Sequence, residues 1–122
     1  MSNLTWSFDT AVRGYHFYRK YWKPYLYQKL DCSHEPGNAF DRFAIKMSIK
    51  ENGKEKIVGH IPREISRPTK FLITRGAVMH AEISSDMYRK SPLVQGGLEL
   101  SCTVYVAMPP TVLNENLISR YK

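Results

Sequence analysis

The feature that most constrains this chain is the alternation of apolar and polar residues in short segments bounded by turn residues. In residues 98–106 every second residue is apolar: Leu98, Leu100, Cys102, Val104 and Val106. Successive side chains of a strand point to opposite faces, so a period of two predicts strands with one buried face. The prolines and glycines fall between such segments, where turns belong. The pattern indicates a β-rich domain.

The alternation predicts six strands. They cover residues 6–12, 25–32, 43–50, 56–61, 79–84 and 98–106. Asn52-Gly53 has the composition of a hairpin turn between the third and fourth. Strands and helices do not alternate regularly, which favours a small closed or partly open barrel over a parallel sheet.

One short helix is expected between the fourth and fifth strands. Ser66 would cap it and Pro68 would lie in its first turn. Phe71 and Leu72 would face the core, and Gly76 would end the helix.

Residues of the second and third strands are also expected to face the core. In the second strand Leu26, Leu30 and Cys32 would face inward, with Gln28 as a polar exception on that face. Phe43 leads the apolar face of the third strand, and we expect it in the core.

The chain of 122 residues with 43% hydrophobic composition suits a single core. Pro109-Pro110 would end the domain, so we expect a domain at 1–108 and a tail at 109–122. No run of 18 apolar residues occurs, and residues 1–10 lack the pattern of a signal peptide. These features predict an intracellular protein without a membrane segment.

The net charge and the cysteine content constrain the function only weakly. Eighteen Lys and Arg against eleven Asp and Glu give a net charge of +7, which attracts phosphate but also serves solubility. Cys32 and Cys102 are expected as small buried residues, and a disulfide is left open. Cys32 and His34 lack a second pair at metal-ligand spacing. We therefore expect neither metal nor cofactor.

Three segments together resemble the HIRAN domain. They are Gly14 to Tyr18, with its paired aromatics, Glu-Pro-Gly-Asn-Ala-Phe-Asp-Arg-Phe-Ala-Ile at 35–45, and Val-Gly-His-Ile-Pro-Arg-Glu-Ile at 58–65. The resemblance implies an OB-like six-stranded β-barrel with one or two short helices. It also implies binding of the 3′-hydroxyl end of single-stranded DNA, in the nucleus, where replication forks and repair expose such ends. It implies no catalysis.

The same resemblance implies a DNA-binding set. Its members are His16, Phe17, Tyr18, Asn38, Phe40, Asp41, His60 and Arg63. Phe17 and Phe40 would stack on terminal bases. Asp41 would accept a hydrogen bond from the 3′-hydroxyl, and Asn38 would hold the loop or touch the terminal sugar.

The basic members of this set would contact backbone phosphates. His60 and Arg63 match family positions with that role, and His16 stands where some relatives carry Arg. Simpler alternatives remain: a core position for each Phe, turn chemistry for Asn38 and Asp41, and a solvated surface for His16. Ala39 and Phe40 also replace the family's usual Pro and Tyr, which makes the loop less stiff and removes a phenol.

Two other classes of function compete with DNA-end binding. A protein-interaction barrel could use the tyrosine-rich stretch from Tyr15 to Tyr27 or the basic loop from Met87 to Gly97. An enzyme is disfavoured because no phosphate-binding Gly-rich loop and no paired carboxylates with metal-ligand spacing occur. We expect a monomer.

Overall fold

The strands of this protein form one closed antiparallel barrel. A computed structural model describes residues 3–92 and 97–110. The strands in that part are β1 (Leu4–Arg13), β2 (Lys29–His34), β3 (Ile45–Glu51), β4 (Lys54–His60), β5 (Val78–Ile83), β6 (Arg89–Lys90) and β7 (Leu98–Met108). Two short helices accompany them, α1 (Tyr15–Tyr18) and α2 (Arg63–Thr74).

The barrel closes through the long strands β1 and β7. Six strands follow one another in the order β1, β4, β3, β2, β5 and β7, and β7 pairs back onto β1. The β1 and β7 pairing runs from Leu4 opposite Met108 to Arg13 opposite Glu99. In contrast, β1 and β4 meet only where Arg13 lies opposite His60. The two-residue β6 adds to the edge of β7. The expected mainly β, six-stranded barrel is confirmed.

Gly59 allows the narrow β1 and β4 junction to form. A Cβ atom at this position would lie 2.4 Å from Val12 Cγ1 and 2.8 Å from the carbonyl oxygen of Arg13. Real Cβ atoms do not approach so closely, so only glycine fits without a shift of the backbone. The Val-Gly-His sequence therefore places His60 directly beside the end of β1.

The core consists of the inward faces of the alternating strands. Its fully buried side chains include Val12, Leu30, Ile45, Met47, Val58, Ile83, Leu100, Val104 and Met108. Each such side chain contributes about 1.5–3 kcal/mol relative to exposure. Trp22, from the connection between α1 and β2, joins this core and is 3% exposed.

The hairpin and the longest alternations were predicted correctly. β3 and β4 are joined at Asn52 (φ 54°) and Gly53 (φ 78°), the two positive φ values that a type I′ turn requires. β5 and β7 bury every second residue over most of their length.

The prediction for residues 25–28 was wrong. β2 begins only at Lys29, and Leu26 is exposed instead of facing inward. Tyr27 has a φ of 66°, which no strand residue adopts. Gln28 is not a misfit, because its Oε1 accepts a hydrogen bond from Trp22 Nε1 at 3.1 Å. The inward indole needs a partner, and Gln28 supplies it.

The helix prediction was right about the end of the helix and wrong in three details. α2 begins at Arg63, so Ser66 is a buried residue inside the helix and not its cap, and Pro68 lies beyond the first turn. The inward stripe is Ile65, Thr69, Leu72 and Ile73. Phe71 lies off that stripe and is 53% exposed. Gly76, with φ 98°, ends the helix as expected.

Phe43 does not join the core as expected. It precedes β3 and is half-buried beneath the guanidinium groups of Arg42, 4.8 Å from the ring centroid, and Arg67, 5.6 Å away. The turn at residues 41–43 precedes the strand, so the alternation that predicted an inward ring does not extend to Phe43.

The two cysteines are buried and free, as expected of small interior residues. Burial raises the pKa of both thiols to about 12, so neither is a thiolate at neutral pH. Across residues 3–92 and 97–110, the helices are too short or too polar to span a bilayer. The expected tail lies outside the described residues after Pro110, as do residues 93–96 of the basic loop.

Candidate functional site

A groove opens where α1, the connection between β2 and β3, and the end of β4 meet. It is lined by Phe17, Tyr18, Glu35, Gly37, Asn38, Ala39, Phe40 and His60. A second groove shares three of these residues, Asn38, Phe40 and His60, and adds Arg13, Gly14, Asp41, Ala44, Ile61 and Arg63. We call the two together the main groove. Their volumes, about 520 Å³ and 360 Å³, are within the usual range for ligand sites.

The main groove gathers residues that are far apart in sequence. Apart from His16, every residue that the resemblance implied for DNA binding lines it. These residues come from α1, from the 35–41 loop and from the junction of β4 with α2. The close approach of β1 and β4 at Gly59 brings the first and third of these segments together.

Asn38 organises the loop that carries Phe40. Its Oδ1 accepts hydrogen bonds from the backbone N–H groups of Phe40 at 2.9 Å and Asp41 at 3.0 Å. Its Nδ2 donates to Glu35 Oε1 at 2.8 Å. This is an Asx turn in which the side chain replaces a backbone partner. Asn38 therefore fixes the direction in which Phe40 leaves the loop.

Glu35 joins the loop to the end of β4. Its Oε1 also lies 2.9 Å from His60 Nε2. Partial burial opposes ionisation of Glu35, but the hydrogen bonds from Asn38 and His60 and the charges of His60 and Lys46 outweigh it and lower the pKa of the carboxyl. The groove thus contains a fixed carboxylate that orients a histidine ring.

Asp41 combines a structural role with a place in the groove. Its Oδ1 accepts a hydrogen bond from the backbone N–H of Phe43 at 2.9 Å, and its Oδ2 accepts one from Ser66 Oγ at 2.7 Å. A carboxylate has about four acceptor sites, so these two bonds leave others open. The bond to Ser66 ties the loop to α2 and holds the carboxylate still.

Two phenylalanines expose their rings to the main groove. Phe17 is 68% exposed and Phe40 is 85% exposed. Phe17 is supported by Tyr18 in an edge-to-face contact with centroids 5.1 Å apart. Burial, together with the charge of Glu35, raises the pKa of Tyr18, so its phenol remains protonated at neutral pH. Neither phenylalanine is a core residue, and both present a face for stacking.

The cations of the main groove differ in how far they are neutralised. Arg13 hydrogen-bonds Glu64 and, at 3.2 Å, the buried Glu99, so its charge is compensated. Arg63 is exposed at the start of α2 and forms no ion pair within the described part of the chain. Arg63 is therefore the guanidinium best placed to attract a phosphate.

His16 faces away from the main groove. Its Nδ1 accepts a hydrogen bond from the backbone N–H of Leu98 at 3.2 Å. Its ring occupies the space beside Gly97, where a Cβ would lie 2.1 Å from Nδ1. His16 therefore contacts the start of β7 and does not line the main groove.

Sequence reasoning missed Glu35 and Arg13. Glu35 belongs to the same motif as Asn38, but a carboxylate does not suggest a phosphate-binding site, and its role is to hold Asn38 and His60. Arg13 ends a strand, and only the register of β1 against β4 brings it to the groove. The spacing of Glu35 and Asn38, three residues apart across a Pro-Gly turn, is the signal that could have indicated their contact.

A further groove of about 410 Å³ lies on the barrel wall and has a different character. Its lining includes Thr5, Val78, His80 and Tyr105 but no Lys or Arg. Burial, together with the charge of Lys29, lowers the pKa of His80, which stacks on Tyr105 with centroids 5.1 Å apart. This groove lacks the positive charge that a phosphate requires. Residues 3–92 and 97–110 contain no cluster of His, Cys, Asp or Glu able to hold a metal ion.

Comparison with known proteins gives the fold. No protein-family model and no curated protein matches the sequence. The crystal structure of the HIRAN domain of human HLTF is similar, with a TM-score of 0.69 at 15% identity over 98% of this chain and 88% of that one. A protein from Lactobacillus plantarum has a TM-score of 0.59 at 13% identity over 88% of this chain and 99% of that one. The barrel, its order of strands and its two short helices thus form a HIRAN-like fold.

Proposed function

We propose that this domain captures the 3′-hydroxyl end of single-stranded DNA in the main groove. The observation that supports the proposal most is the exposure of Phe17 and Phe40 in one groove that also holds the carboxylate of Asp41. Rings of this kind stack on any base and contribute roughly 1–3 kcal/mol for each base. Stacking therefore supplies affinity without sequence preference.

The carboxylates supply the preference for an end. A terminal 3′-hydroxyl can donate to an open acceptor site of Asp41, whereas an internal nucleotide or a 3′-phosphate presents an anion there. Glu35 adds a second negative charge to the lining of the same groove. A phosphate at the terminal position would be repelled by both groups.

The phosphates further from the end meet positive groups. Arg63 and the first backbone N–H groups of α2 lie at the edge of the main groove, and His60 is held towards it by Glu35. Helix N-termini and arginine side chains are both common phosphate partners. The arrangement is one for binding, and we propose no catalytic step.

The experiment that tests the proposal compares two ends of one labelled oligonucleotide. Fluorescence anisotropy would measure binding of a short strand with a free 3′-hydroxyl and of the same strand with a 3′-phosphate. We expect the free end to bind about tenfold more tightly or better, because a hydrogen bond to a charged group contributes roughly 1.5–3 kcal/mol. Equal binding of the two ends, or no binding, would refute the proposal.

Two variants separate the role of Asp41 in recognition from its role in the fold. Asp41→Asn keeps one acceptor oxygen and the size of the side chain but removes the charge, so the ratio of the two affinities should fall towards one. Ser66→Ala removes the contact with α2 at 2.7 Å while leaving the carboxylate in place. Ser66→Ala should keep the preference for the free end.

A further inference from the structure

Next to the main groove, the connection from α1 to β2 exposes three tyrosines. Tyr21, Tyr25 and Tyr27 are 67%, 62% and 72% exposed. We call residues 19–29 the tyrosine segment. A group of exposed large aromatic side chains is typical of an interaction surface.

Packing and hydrogen bonds hold the backbone of the tyrosine segment, so each tyrosine leaves the chain at a defined position. Trp22 anchors the segment in the core and hydrogen-bonds Gln28. Lys56 Nζ donates to the carbonyl of Tyr21, and the backbone N–H of Tyr27 donates to the carbonyl of Ile83 at 2.8 Å. A bulky residue such as Tyr27 rarely adopts a φ of 66°, and here the surrounding contacts fix it.

The charged side chains of the tyrosine segment itself are all positive. Lys20, Lys23 and Lys29 belong to the segment, which contains no Asp or Glu. Tyr25, Lys29 and Lys50 also line a shallow groove of about 380 Å³, which contains two lysines and one carboxylate, Asp31. None of the four lysines forms an ion pair with any residue that the structure describes. Lys46 and Lys56, further along the same sheet, are paired with Glu55 and Glu51.

The tyrosine segment is continuous with the main groove. Tyr18 lines that groove, and its carbonyl accepts hydrogen bonds from the backbone N–H groups of Tyr21 at 2.9 Å and Trp22 at 3.1 Å. The first exposed tyrosine thus follows the wall of the main groove by one helical turn. A strand that leaves the groove on this side meets Tyr21 first.

We propose that the tyrosine segment binds the nucleotides of a single strand that lie 5′ of the captured end. The inference rests on the proposed function. Exposed rings interleaved with free lysines match the stacked bases and phosphates of a flexible polyanion. Tyr21 and Tyr25 would carry bases, and Lys20, Lys23, Lys29 and Lys50 would neutralise phosphates. The segment has no fixed acceptor framework, so its binding is insensitive to sequence and to the end.

The test is the dependence of affinity on strand length, measured by anisotropy on the full chain. A trinucleotide with a free 3′-hydroxyl fills only the main groove, whereas a strand of about ten nucleotides lies within the roughly 4–16 that one OB fold occupies. For the parent protein we expect the longer strand to bind about tenfold more tightly or better. Tyr21→Ala/Tyr25→Ala should abolish this gain and leave trinucleotide affinity and the preference for a free 3′-hydroxyl unchanged.

The controls keep the two proposals distinguishable. Tyr105→Ala removes an exposed tyrosine of the barrel wall and should preserve the gain from length. If the trinucleotide binds with end preference but the gain is absent, or survives Tyr21→Ala/Tyr25→Ala, the inference is overturned and the end-binding proposal stands. In that case another partner, such as a protein, uses the segment. If no strand shows end preference, the end-binding proposal falls, and the inference falls with it.

Discussion

The main groove and the tyrosine segment both expose aromatic rings, but they hold their polar groups in different ways. In the groove, Glu35, Asn38 and His60 are joined by hydrogen bonds of 2.8–2.9 Å, and Asp41 is tied to Ser66. In the segment, the lysines form no ion pairs among the described residues. Fixed polar atoms discriminate between ligands, whereas free charges attract any polyanion. We therefore expect the main groove to provide selectivity and the tyrosine segment to provide general affinity.

The largest effect should come from removing both rings of the main groove. Phe17→Ala/Phe40→Ala should weaken trinucleotide binding by about a hundredfold or more, since each stacked base contributes roughly 1–3 kcal/mol. The gain from strand length should persist, because it depends on other rings. Phe71→Ala is a matched control, since Phe71 is also exposed but lies on α2 outside both grooves. Anisotropy titrations would measure all three proteins, and an equal loss for Phe71→Ala would contradict the assignment.

A smaller effect, on stability, should follow substitution of Gly59. Gly59→Ala places a Cβ against Val12 and the carbonyl of Arg13, and we expect a loss of about 1–3 kcal/mol in the free energy of unfolding. Gly37→Ala is the control, because a Cβ there meets no atom within 4 Å. Urea denaturation would measure both. Equal stability of the two variants would show that the β1 and β4 junction tolerates a wider spacing.

Asn38→Ala should cost stability and selectivity together. It removes three hydrogen bonds, to the N–H groups of Phe40 and Asp41 and to the carboxylate of Glu35, of which water replaces part. We expect about 1–2 kcal/mol less unfolding free energy and a weaker preference for the free 3′ end. An unchanged unfolding free energy and an unchanged preference for the free 3′ end would mean that the backbone alone shapes the loop. Denaturation and binding assays would measure these two quantities. No such loss is expected for Tyr25→Ala in the tyrosine segment.

The salt dependence of binding should distinguish the two regions. In the double variant Lys20→Gln/Lys23→Gln, log K should fall less steeply with log salt. The magnitude of the slope should decrease by about 0.7 for each phosphate that is no longer neutralised, and only for the longer strand. Lys70→Gln, on α2, should leave the slope unchanged. Titrations at several salt concentrations would show this. The same reduction for a trinucleotide would place those lysines at the main groove instead.

The smallest effect concerns pH. The pKa of Glu35 is lowered in the folded protein, so its ionised form stabilises the fold above the ordinary glutamate pKa of about 4.3. That contribution is lost as pH falls through the lowered pKa. Glu35→Gln should therefore flatten the acid limb of unfolding free energy plotted against pH. An unchanged acid limb, measured by urea denaturation at a series of pH values, would show that the contacts with Asn38 and His60 do not favour the ionised carboxyl.

Local sequence determined most of the barrel. The alternation at 98–106 defines β7, because burial of one face requires a period of two. Asn52-Gly53 defines the hairpin between β3 and β4, because few other residues adopt two successive positive φ values. The strand alternation and the turn depend on neighbours in sequence, so the sequence alone reveals them. The loop and the strand end that line the main groove were located by the family resemblance that the motifs at 35–45 and 58–65 carry.

Other features depended on contacts between distant residues. Leu26 was expected inside and lies outside because the chain turns at Tyr27 before β2 begins. Phe71 lies outside because α2 buries the stripe through Ile65 and Leu72. Ser66 was expected to cap α2 and instead holds Asp41, 25 residues away. Glu35 meets His60 because β3 pairs with β2 on one side and with β4 on the other, which brings the ends of β2 and β4 together. Sequence periodicity reports which face of an element is buried, but the partner of a polar group is decided by the packing of whole elements in three dimensions.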